Sequence, residues 1–392
     1  MDGYANDAPA TMPAMTQELT PEPMAKARAL LARAPVFDGH NDLPWEIRRR
    51  AGGDWRALDP GGSLRGKTHT DLERLRAGGV GAQFWSVYVP STLPEPAALA
   101  LTLEQVDLVR QMVAGNEDRL VLATDAAGCT DALASGRIAS LLGAEGGHCI
   151  ASSLGVLRSL HRLGVRYLTL THSKSTAWAD SATGEPRCGG LSELGRQVVA
   201  EMNRIGMIVD LSHVATSTMH AALDVSTKPV LFSHSSARAL VDNPRNVPDE
   251  ALRRLRDNGG VCQVAFVPHF VSASCSAWVA EAERAMLKQG LDPDDVEARE
   301  RFLAGFTREH PRPRATLGDV ADHVEHVREV AGADHVGLGG DFDGTDDLPE
   351  GLEDVSGYPR LIEELATRGW GEADLAKLTW GNVLRVVAEV CG

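Results

Sequence analysis

Eight short apolar segments of strand type, separated by helical segments, are the feature that most limits how this chain can fold. The segments are Val36–Asp42, Val80–Val89, Ile138–Glu145, Arg166–His172, Met207–His213, Pro229–His234, Val261–Val267 and His335–Asp341. This alternation is typical of a parallel sheet whose crossovers are helices. Eight repeats favour a closed (β/α)8 TIM barrel over an open doubly wound sheet. The predicted fold class is therefore α/β, of the TIM-barrel type.

The longest interruption of the alternation lies between the seventh and eighth predicted strands, at residues 268–316. It contains an amphipathic segment near Ala277–Lys288 and the proline-rich stretch Pro311–Pro313. We interpret it as a helical insertion over the mouth of the barrel. After the eighth strand, helical patterns near Tyr358–Arg368 and Glu372–Glu389 are expected to complete the outer ring.

Composition limits the domain organisation and the class of partner. Residues 1–20 have no periodic apolar face and are interpreted as a mobile leader, which leaves residues 21–392 as one catalytic barrel domain. The net charge of −15 and the pI near 5.3 argue against nucleic acid or an anionic membrane as partner, because both need a positive face. Six scattered cysteines indicate reduced thiols, and neither a secretion signal nor a membrane-spanning run is expected. We therefore expect a cytoplasmic protein with a small-molecule substrate.

Six of the eight predicted strands end in a histidine or an acidic residue. In a TIM barrel the carboxyl ends of the strands meet at one mouth, where the active site forms. The residues at these ends are His40 with Asp42, Glu145, His172, His213, His234 and Asp341. Imidazole and carboxylate groups are common zinc ligands, and a bridging carboxylate would let two ions share such a set.

Each of these residues also has a structural explanation when it is taken alone. A histidine at a strand end more often makes a structural hydrogen bond than binds a metal, and a carboxylate there often caps the next helix. Their coincidence at six strand ends favours a metal site over six independent structural roles. Other histidines are weaker candidates and are left out of the predicted site: His69, His148, His161, His323 and His326.

Several motifs together resemble those of the renal or membrane dipeptidases, a branch of the amidohydrolase superfamily. The resemblance runs in order from about residue 35 to the C-terminus. The motifs are Asp38–Asp42, Gly143–Gly146, Tyr167–Ser173, Asp210–His213, Phe232–Ser236, Arg245–Asp249, Gly339–Gly344 and Gly381–Arg385.

The resemblance implies a peptidase with two zinc ions in each subunit. By that resemblance, His40 and Asp42 would hold one zinc ion, and His213 and His234 would hold the other. Glu145 would bridge the two ions. Zinc is not the only metal that suits the set, because mixed histidine and carboxylate ligands also accept Mn, Co or Ni.

The resemblance also implies roles for three residues that act on the substrate. Asp341 would hold the bridging water or hydroxide and take its proton. His172 would polarise the carbonyl that is attacked, or donate to the oxyanion that forms. Arg245 would bind the terminal carboxylate of the dipeptide, because its guanidinium forms a fork that matches a carboxylate.

The expected function is hydrolysis of dipeptides, including those with a C-terminal D-residue, as the family implies. One alternative is another binuclear amidohydrolase that acts on a lactam, a lactone or a phosphoester. A further alternative is a catalytically inactive barrel that binds a metal or a ligand. The long insertion and the segment Val267–Phe270 differ from the animal members of the family, so the preferred side chains stay open. The sequence also leaves a homo-oligomer open.

Overall fold

A computed structural model describes residues 22–293 and 296–392. The predicted leader at residues 1–20 lies outside the described residues, so the division into leader and barrel domain stays a prediction. Within the described residues there are nine strands. They are β1 (Val36–Asn41), β2 (Val80–Tyr88), β3 (Leu120–Leu122), β4 (Ile138–Glu145), β5 (Val165–Thr169), β6 (Ile208–Asp210), β7 (Leu231–Phe232), β8 (Val261–Val264) and β9 (Val336–Leu338).

Eight of these strands close into a parallel barrel. The order is β2-β1-β9-β8-β7-β6-β5-β4, and β2 also pairs with β4, which closes the ring. The remaining strand, β3, lies outside the ring and pairs in parallel with the start of β4. The predicted (β/α)8 TIM barrel is therefore confirmed, and all eight predicted strands belong to it. The extra strand β3 was not predicted, since three residues carry too little pattern to be recognised.

Helices surround the barrel and connect its strands. They are α1 (Glu22–Leu31), α2 (Leu43–Ala51), α3 (Leu72–Ala77), α4 (Glu95–Gly115), α5 (Ala126–Ala134), α6 (Leu154–Arg162), α7 (Glu193–Ile205), α8 (Thr216–Val225), α9 (Asp249–Asn258), α10 (Pro268–Val271), α11 (Ala273–Lys288), α12 (Val296–Glu309), α13 (Leu317–Ala331), α14 (Tyr358–Thr367), α15 (Glu372–Ala376) and α16 (Asn382–Cys391). Short 3-10 turns lie at Gly147–Ile150 and Val355–Gly357.

Local chemistry explains where several helices begin and end. Ser192 accepts a hydrogen bond from the backbone N–H of Gly195 and so caps α7. Thr316 and Asp319 form a reciprocal capping box at the start of α13. Gly206 ends α7 in the left-handed conformation that glycine adopts without steric cost.

The helix predicted for Glu372–Glu389 is present, but it is not regular throughout. It runs through α15, a π-helical turn at Lys377–Gly381 and α16 without a break in helical structure. Side chains in and after the turn bind the barrel rather than solvent: Thr379 donates to the carbonyl of Ala34 at 2.9 Å, and Asn382 donates to the carbonyls of Ala333 and Val336. These contacts hold the backbone in a wider turn than a regular helix has.

The insertion between β8 and β9 is helical, as predicted, and consists of α10, α11 and α12. Its first helix contacts the segment that carries Arg245. Asn243 donates to the carbonyl of His269 at 3.2 Å, and Asn246 donates to that of Phe270 at 2.8 Å. The insertion is therefore attached to the mouth of the barrel at this point.

The interior of the barrel is apolar at its base and polar toward its mouth. Strand residues that include Phe37 and Phe84 form a cluster with Val383 and Val386 of α16, so this helix covers the base. Higher in the barrel, Gln263 is fully buried and donates to two strand carbonyls. Among the helices of residues 22–293 and 296–392, none combines the length and the apolar composition needed to cross a membrane.

All six cysteines are free thiols, as the sequence indicates. Burial raises the pKa of Cys129 and of Cys149 to about 12. The same effect raises the pKa of Cys262 and Cys391.

We expect Gly339→Ala to destabilise the barrel. A Cβ at this position would lie 1.9 Å from the carbonyl oxygen of Ser233, which is backbone and cannot easily move. Overpacking of this kind costs about 1–3 kcal/mol, measurable as the free energy of unfolding in denaturant. The control is Gly305→Ala in α12, where nothing lies within 4 Å of a Cβ. That change should stabilise the protein by about 0.5–1 kcal/mol, and equal effects at both positions would contradict the prediction.

Candidate metal centre

The five predicted ligands, together with His172 and Asp341, are carried by the ends of six barrel strands. His40 lies within β1, and Glu145 is the last residue of β4. The others lie one to three residues beyond their strands, in the loops at the mouth: Asp42, His172, His213, His234 and Asp341. The strands β5, β6 and β9 end earlier than predicted: they each stop three residues before His172, His213 and Asp341, respectively.

Asp42 occupies the N-cap position of α2 but does not cap that helix. Its side chain makes no hydrogen bond to the helix, and its Oδ1 atom is buried without a partner. Its Oδ2 atom lies 3.1 Å from Nε2 of His40. The structural explanation of this carboxylate as a helix cap therefore does not apply, and the carboxylate is directed into the mouth instead.

Six of the predicted residues form three overlapping groups that could hold a cation. Within each group the nitrogen or oxygen ligand atoms all lie within 4.8 Å of one another. The groups are His40, Asp42 and Glu145; Glu145, His213 and His234; and His40, His234 and Asp341. The structure thus brings together the five predicted metal ligands and Asp341, although their roles stay predictions.

Glu145 lies between two of these groups and turns one oxygen atom to each. Its Oε2 atom is 3.5 Å from Nε2 of His40. Its Oε1 atom is 3.0 Å from Nε2 of His213 and 3.4 Å from Nε2 of His234. A carboxylate placed in this way can bridge two cations, one in contact with each oxygen.

The nitrogen and oxygen atoms of the site lie within hydrogen-bond distance of one another, but too few of them carry a hydrogen to form hydrogen bonds between them. Nε2 of His213 and Nε2 of His234 lie 3.0 Å apart, and Oδ1 of Asp42 has no partner. Ser233 donates to Asp210 at 2.7 Å and therefore accepts from Nδ1 of His234, which leaves Nε2 of His234 with a free lone pair. Lone pairs and carboxylates that face one another in a buried site are the arrangement that a divalent cation satisfies, so the donor set fits metal ions.

Electrostatic effects within the cluster are strong in the absence of a cation. Burial, with the carboxylates of Asp42 and Glu145, raises the pKa of Asp341 well above its usual value, although His40 and Arg245 oppose this. Burial alone would raise the pKa of Glu145 too, but the three surrounding imidazoles hold it well below its usual value. Neighbouring carboxyl groups that differ in this way are common where one of them must exchange a proton.

The backbone is strained at two of the predicted site residues. Among the described residues, five that are not glycine have positive φ angles, and His213 (φ 67°) and Asp341 (φ 58°) are two of them. This conformation is unfavourable for residues with a Cβ and persists only where the surroundings enforce it. Ser181 donates to the carbonyl of His172, and Ala182 donates to that of His213, so one loop holds both histidines.

Arg245 and His172 lie beside the ligand cluster with unused donor atoms. The guanidinium of Arg245 is buried, donates from Nη2 to the carbonyl of His234 at 3.4 Å, and has no partner at Nη1. Burial lowers the pKa of Arg245 to about 10, so it stays charged at neutral pH. The ring of His172 packs 4.3 Å from that of His213, and its Nδ1 atom is buried without a partner. Both side chains can therefore donate to a ligand in the mouth.

The histidines that were left out of the predicted site make structural contacts. His148 contacts the carbonyl of Val89, Nδ1 of His323 accepts from the backbone of Ala237, and His326 pairs with Asp249. His69 is closer to the site than expected, since its Nδ1 accepts from the backbone of Asp343 at 3.0 Å. It supports the loop that carries Asp341 without reaching the cluster.

Gly344 is a site residue that sequence reasoning missed. A Cβ here would lie 2.3 Å from Oδ1 of Asp341 and 2.4 Å from Oδ2 of Asp42. Glycine is therefore the residue that lets these two carboxylates approach each other. The glycine stands in a motif that the sequence analysis identified, but its steric role depends on a contact between distant segments.

Comparison with known proteins gives one consistent result. The sequence model of the membrane dipeptidase family (peptidase family M19) matches residues 24–391. Mouse (Mus musculus) Dipeptidase 3 is 40% identical over 370 residues, which are 93% of this chain and 66% of the relative. The chain thus spans about two thirds of the length of the curated relatives it matches.

Two solved structures are similar over nearly the whole chain. The protein PvdM of Pseudomonas aeruginosa has a TM-score of 0.83 at 24% identity, with 94% of this chain and 98% of that chain covered, which supports the fold. A metallopeptidase of Rhodobacter sphaeroides, liganded with a phosphinate mimic of the dipeptide L-Ala-D-Ala, has a TM-score of 0.75 at 26% identity. That similarity covers 91% of this chain and 99% of the other.

We expect the two cation positions to respond differently to substitution. His40→Ala should remove the ion held with Asp42 and leave the other, whereas Glu145→Ala should remove both because its oxygens serve both groups. The bound metal is measured by mass spectrometry after dialysis. His310→Ala, which changes a half-exposed histidine paired with Glu281, is the matched control and should retain all metal. Full metal content in Glu145→Ala would contradict the bridging role.

Proposed function

The chain belongs to the membrane dipeptidase family, peptidase family M19, and from that premise we propose that it hydrolyses the peptide bond of dipeptides with the help of two zinc ions. The observation that carries the proposal is the position of Glu145, whose two oxygens face two separate ligand groups beside the buried donor Nη1 of Arg245. The two oxygens of Glu145 suit two cations, and the free donor of Arg245 suits a small substrate that ends in a carboxylate.

Five residues would hold the ions: His40, Asp42, Glu145, His213 and His234. Zinc bound there would supply a bridging hydroxide near neutral pH, because two cations lower the pKa of a shared water. The protein contributes the strained and buried framework that keeps the five donors in place before an ion arrives.

Asp341 is proposed to accept the proton of the attacking water and to return it to the leaving amine. Its carboxylate shares one ligand group with His40 and His234, so it lies beside the reacting atoms. The pKa of Asp341 is already raised by burial and by neighbouring carboxylates, which makes it able to hold a proton during part of the cycle.

His172 and Arg245 are proposed to hold the substrate from opposite ends of the scissile bond. The free Nδ1 of His172 would donate to the carbonyl oxygen as negative charge develops there. The guanidinium of Arg245 would bind the C-terminal carboxylate, because a buried cation with a free donor gains most from an anionic partner. A carboxylate anchor fixed beside the metal site would limit the substrate to one residue after the attacked carbonyl.

Dipeptides with a C-terminal D-residue are included in the proposed substrate class. The Rhodobacter sphaeroides metallopeptidase, which resembles this chain at 26% identity, is liganded with a mimic of L-Ala-D-Ala. Hydrolysis of a lactam, a lactone or a phosphoester is the alternative that the same metal centre would allow. The cytoplasmic location and the homo-oligomer that the sequence leaves open stay predictions.

We expect the purified, zinc-loaded protein to release free amino acids from a dipeptide panel that includes L,L and L,D pairs. Removal of metal with a chelator should abolish hydrolysis, and added zinc should restore it, because the attacking water would be activated by the metal ions. Amino acid release is followed by chromatography. The proposal fails if a metal-loaded and folded protein cleaves no member of the panel.

We expect Arg245→Ala to lower kcat/KM for dipeptides by about 10- to 100-fold, since a charge-assisted pair contributes roughly 1.5–3 kcal/mol. The same variant should lose little activity toward a dipeptide amide, which has no terminal carboxylate. The control is Arg254→Ala, which removes a guanidinium paired with Asp224 on the outer helices α8 and α9. An equal loss toward the dipeptide and its amide would favour a substrate that is not held by its carboxylate.

A further inference from the structure

The hydroxyl group of Tyr167 contacts a predicted metal ligand from inside the barrel. It lies 2.7 Å from Nδ1 of His40, the ring nitrogen that points away from the cluster. It also lies 3.3 Å from the carbonyl oxygen of Gly39. Both side chains are buried, and no solvent is needed to complete the contact. The strands that carry them, β1 and β5, are not neighbours, so the ring of Tyr167 reaches across the interior.

The count of hydrogens at this contact allows two arrangements. A phenol has one hydrogen to donate and lone pairs with which to accept, and a neutral imidazole has one N–H and one lone pair. In the first arrangement, Tyr167 donates to Nδ1 of His40, and Nε2–H of His40 faces Oδ2 of Asp42 at 3.1 Å. In the second, Nδ1–H of His40 donates to Tyr167, which turns its own hydrogen to the carbonyl of Gly39.

The two arrangements differ in the states of the protein that they satisfy. Without a cation, the first one gives both nitrogens of a neutral His40 a partner, and the second does the same for the imidazolium, whose two N–H groups face Tyr167 and Asp42. With a cation in contact with Nε2, that nitrogen carries no hydrogen, so the proton must lie on Nδ1 and only the second arrangement is satisfied. The Gly39 carbonyl gives the phenol hydrogen an acceptor in that state.

We propose that Tyr167 is a positioning residue that holds the ring of His40 in its ligating orientation both with and without metal, because its hydroxyl can accept from Nδ1–H of His40 while it donates its own hydrogen to the carbonyl of Gly39. The proposal rests on the two-metal centre proposed above. It means that the site is organised before the ion arrives, so that little side-chain order has to be gained on binding.

His234 is held in a different way, which makes the assignment specific to His40. Nδ1 of His234 contacts Ser233, whose hydroxyl donates to the buried carboxylate of Asp210 at 2.7 Å. That chain of hydrogen bonds fixes the direction of the bond between His234 and Ser233, with the proton on Nδ1 of His234. The partner of His40 is a neutral hydroxyl that can donate or accept.

Neighbouring residues leave room for the phenol ring in one place only. A Cβ on Gly143, the residue paired with Tyr167 in the register of β4 and β5, would lie 2.0 Å from Cζ of the ring. The ring of Phe84 packs 4.8 Å away on another side. The ring therefore packs closely against Gly143 and Phe84, in a position that keeps its hydroxyl within reach of His40.

The test is Tyr167→Phe, which keeps the ring and removes only the hydroxyl. We expect the affinity for one of two zinc ions to fall by about 10- to 100-fold, measured by competition with a chromophoric chelator in the full-length protein. The other ion, held by His213 and His234, should bind as in the wild type. Thermal unfolding of the metal-free variant checks that the barrel remains folded.

Tyr358→Phe is the matched control. Its ring is equally buried, and its hydroxyl donates to Asp38 rather than to a ligand. It should lower stability and leave both zinc affinities within about 3-fold, since it removes no direct partner of a ligating imidazole. If both variants lose zinc affinity equally, the effect belongs to the barrel as a whole and the proposal is wrong.

A measurement on the wild type makes the test independent of folding in a variant. Nitrogen NMR of 15N-histidine protein, with the His40 signal assigned by its absence in His40→Asn, should show a protonated Nδ1 once zinc is bound. Zinc coordination through Nδ1 of His40 would overturn the proposal. If the wild type binds two ions and Tyr167→Phe binds them equally well, this inference alone is wrong. If the wild type binds no ion, the proposed function is wrong as well.

Discussion

The mutual repulsion of carboxylates and imidazole lone pairs at the barrel mouth is the constraint on which the rest of the site depends. Glu145 lies at its centre, with one oxygen toward His40 and the other toward His213 and His234. A buried group of this kind is unfavourable unless cations or protons neutralise it. Two features keep the donors close despite that repulsion. The backbone is strained at His213 and Asp341, and position 344 is a glycine.

The barrel and the candidate ligands could be predicted from the sequence because both depend on position along a strand. Six strands end in a residue with ligating chemistry, and a parallel barrel brings all strand ends to one mouth. The motifs then added Arg245, which no strand end would have indicated.

The effects of close approach between distant segments could not be predicted from the sequence. The steric roles of Gly143 and Gly344, the contact of Tyr167 with His40, and the π-helical turn before α16 all depend on neighbours far away in the chain. The strand β3 was missed because three residues carry too little periodicity to be recognised.

The insertion packs directly against the segment that carries Arg245, the proposed substrate anchor. The guanidinium of Arg245 lies 5.1 Å from the centre of the Phe270 ring in α10, and Asn246 binds the carbonyl of the same phenylalanine. A cation over an aromatic face is held in orientation while its N–H donors stay free at the edge. Variation in the insertion can therefore change the orientation of the Arg245 guanidinium without changing the candidate metal ligands.

The buried thiols have a consequence for how the protein acquires its metal. A cysteine binds zinc as the thiolate, and every cysteine of this chain has a pKa raised by burial, to about 12 for Cys129, Cys149 and Cys391. None of them belongs to the clusters of residues that could hold a metal within the described chain. The candidate site therefore offers an incoming ion nitrogen and oxygen donors and no thiolate. Selection among metals is left to the geometry of nitrogen and oxygen donors, a contest that the supply of each metal in the cell would decide.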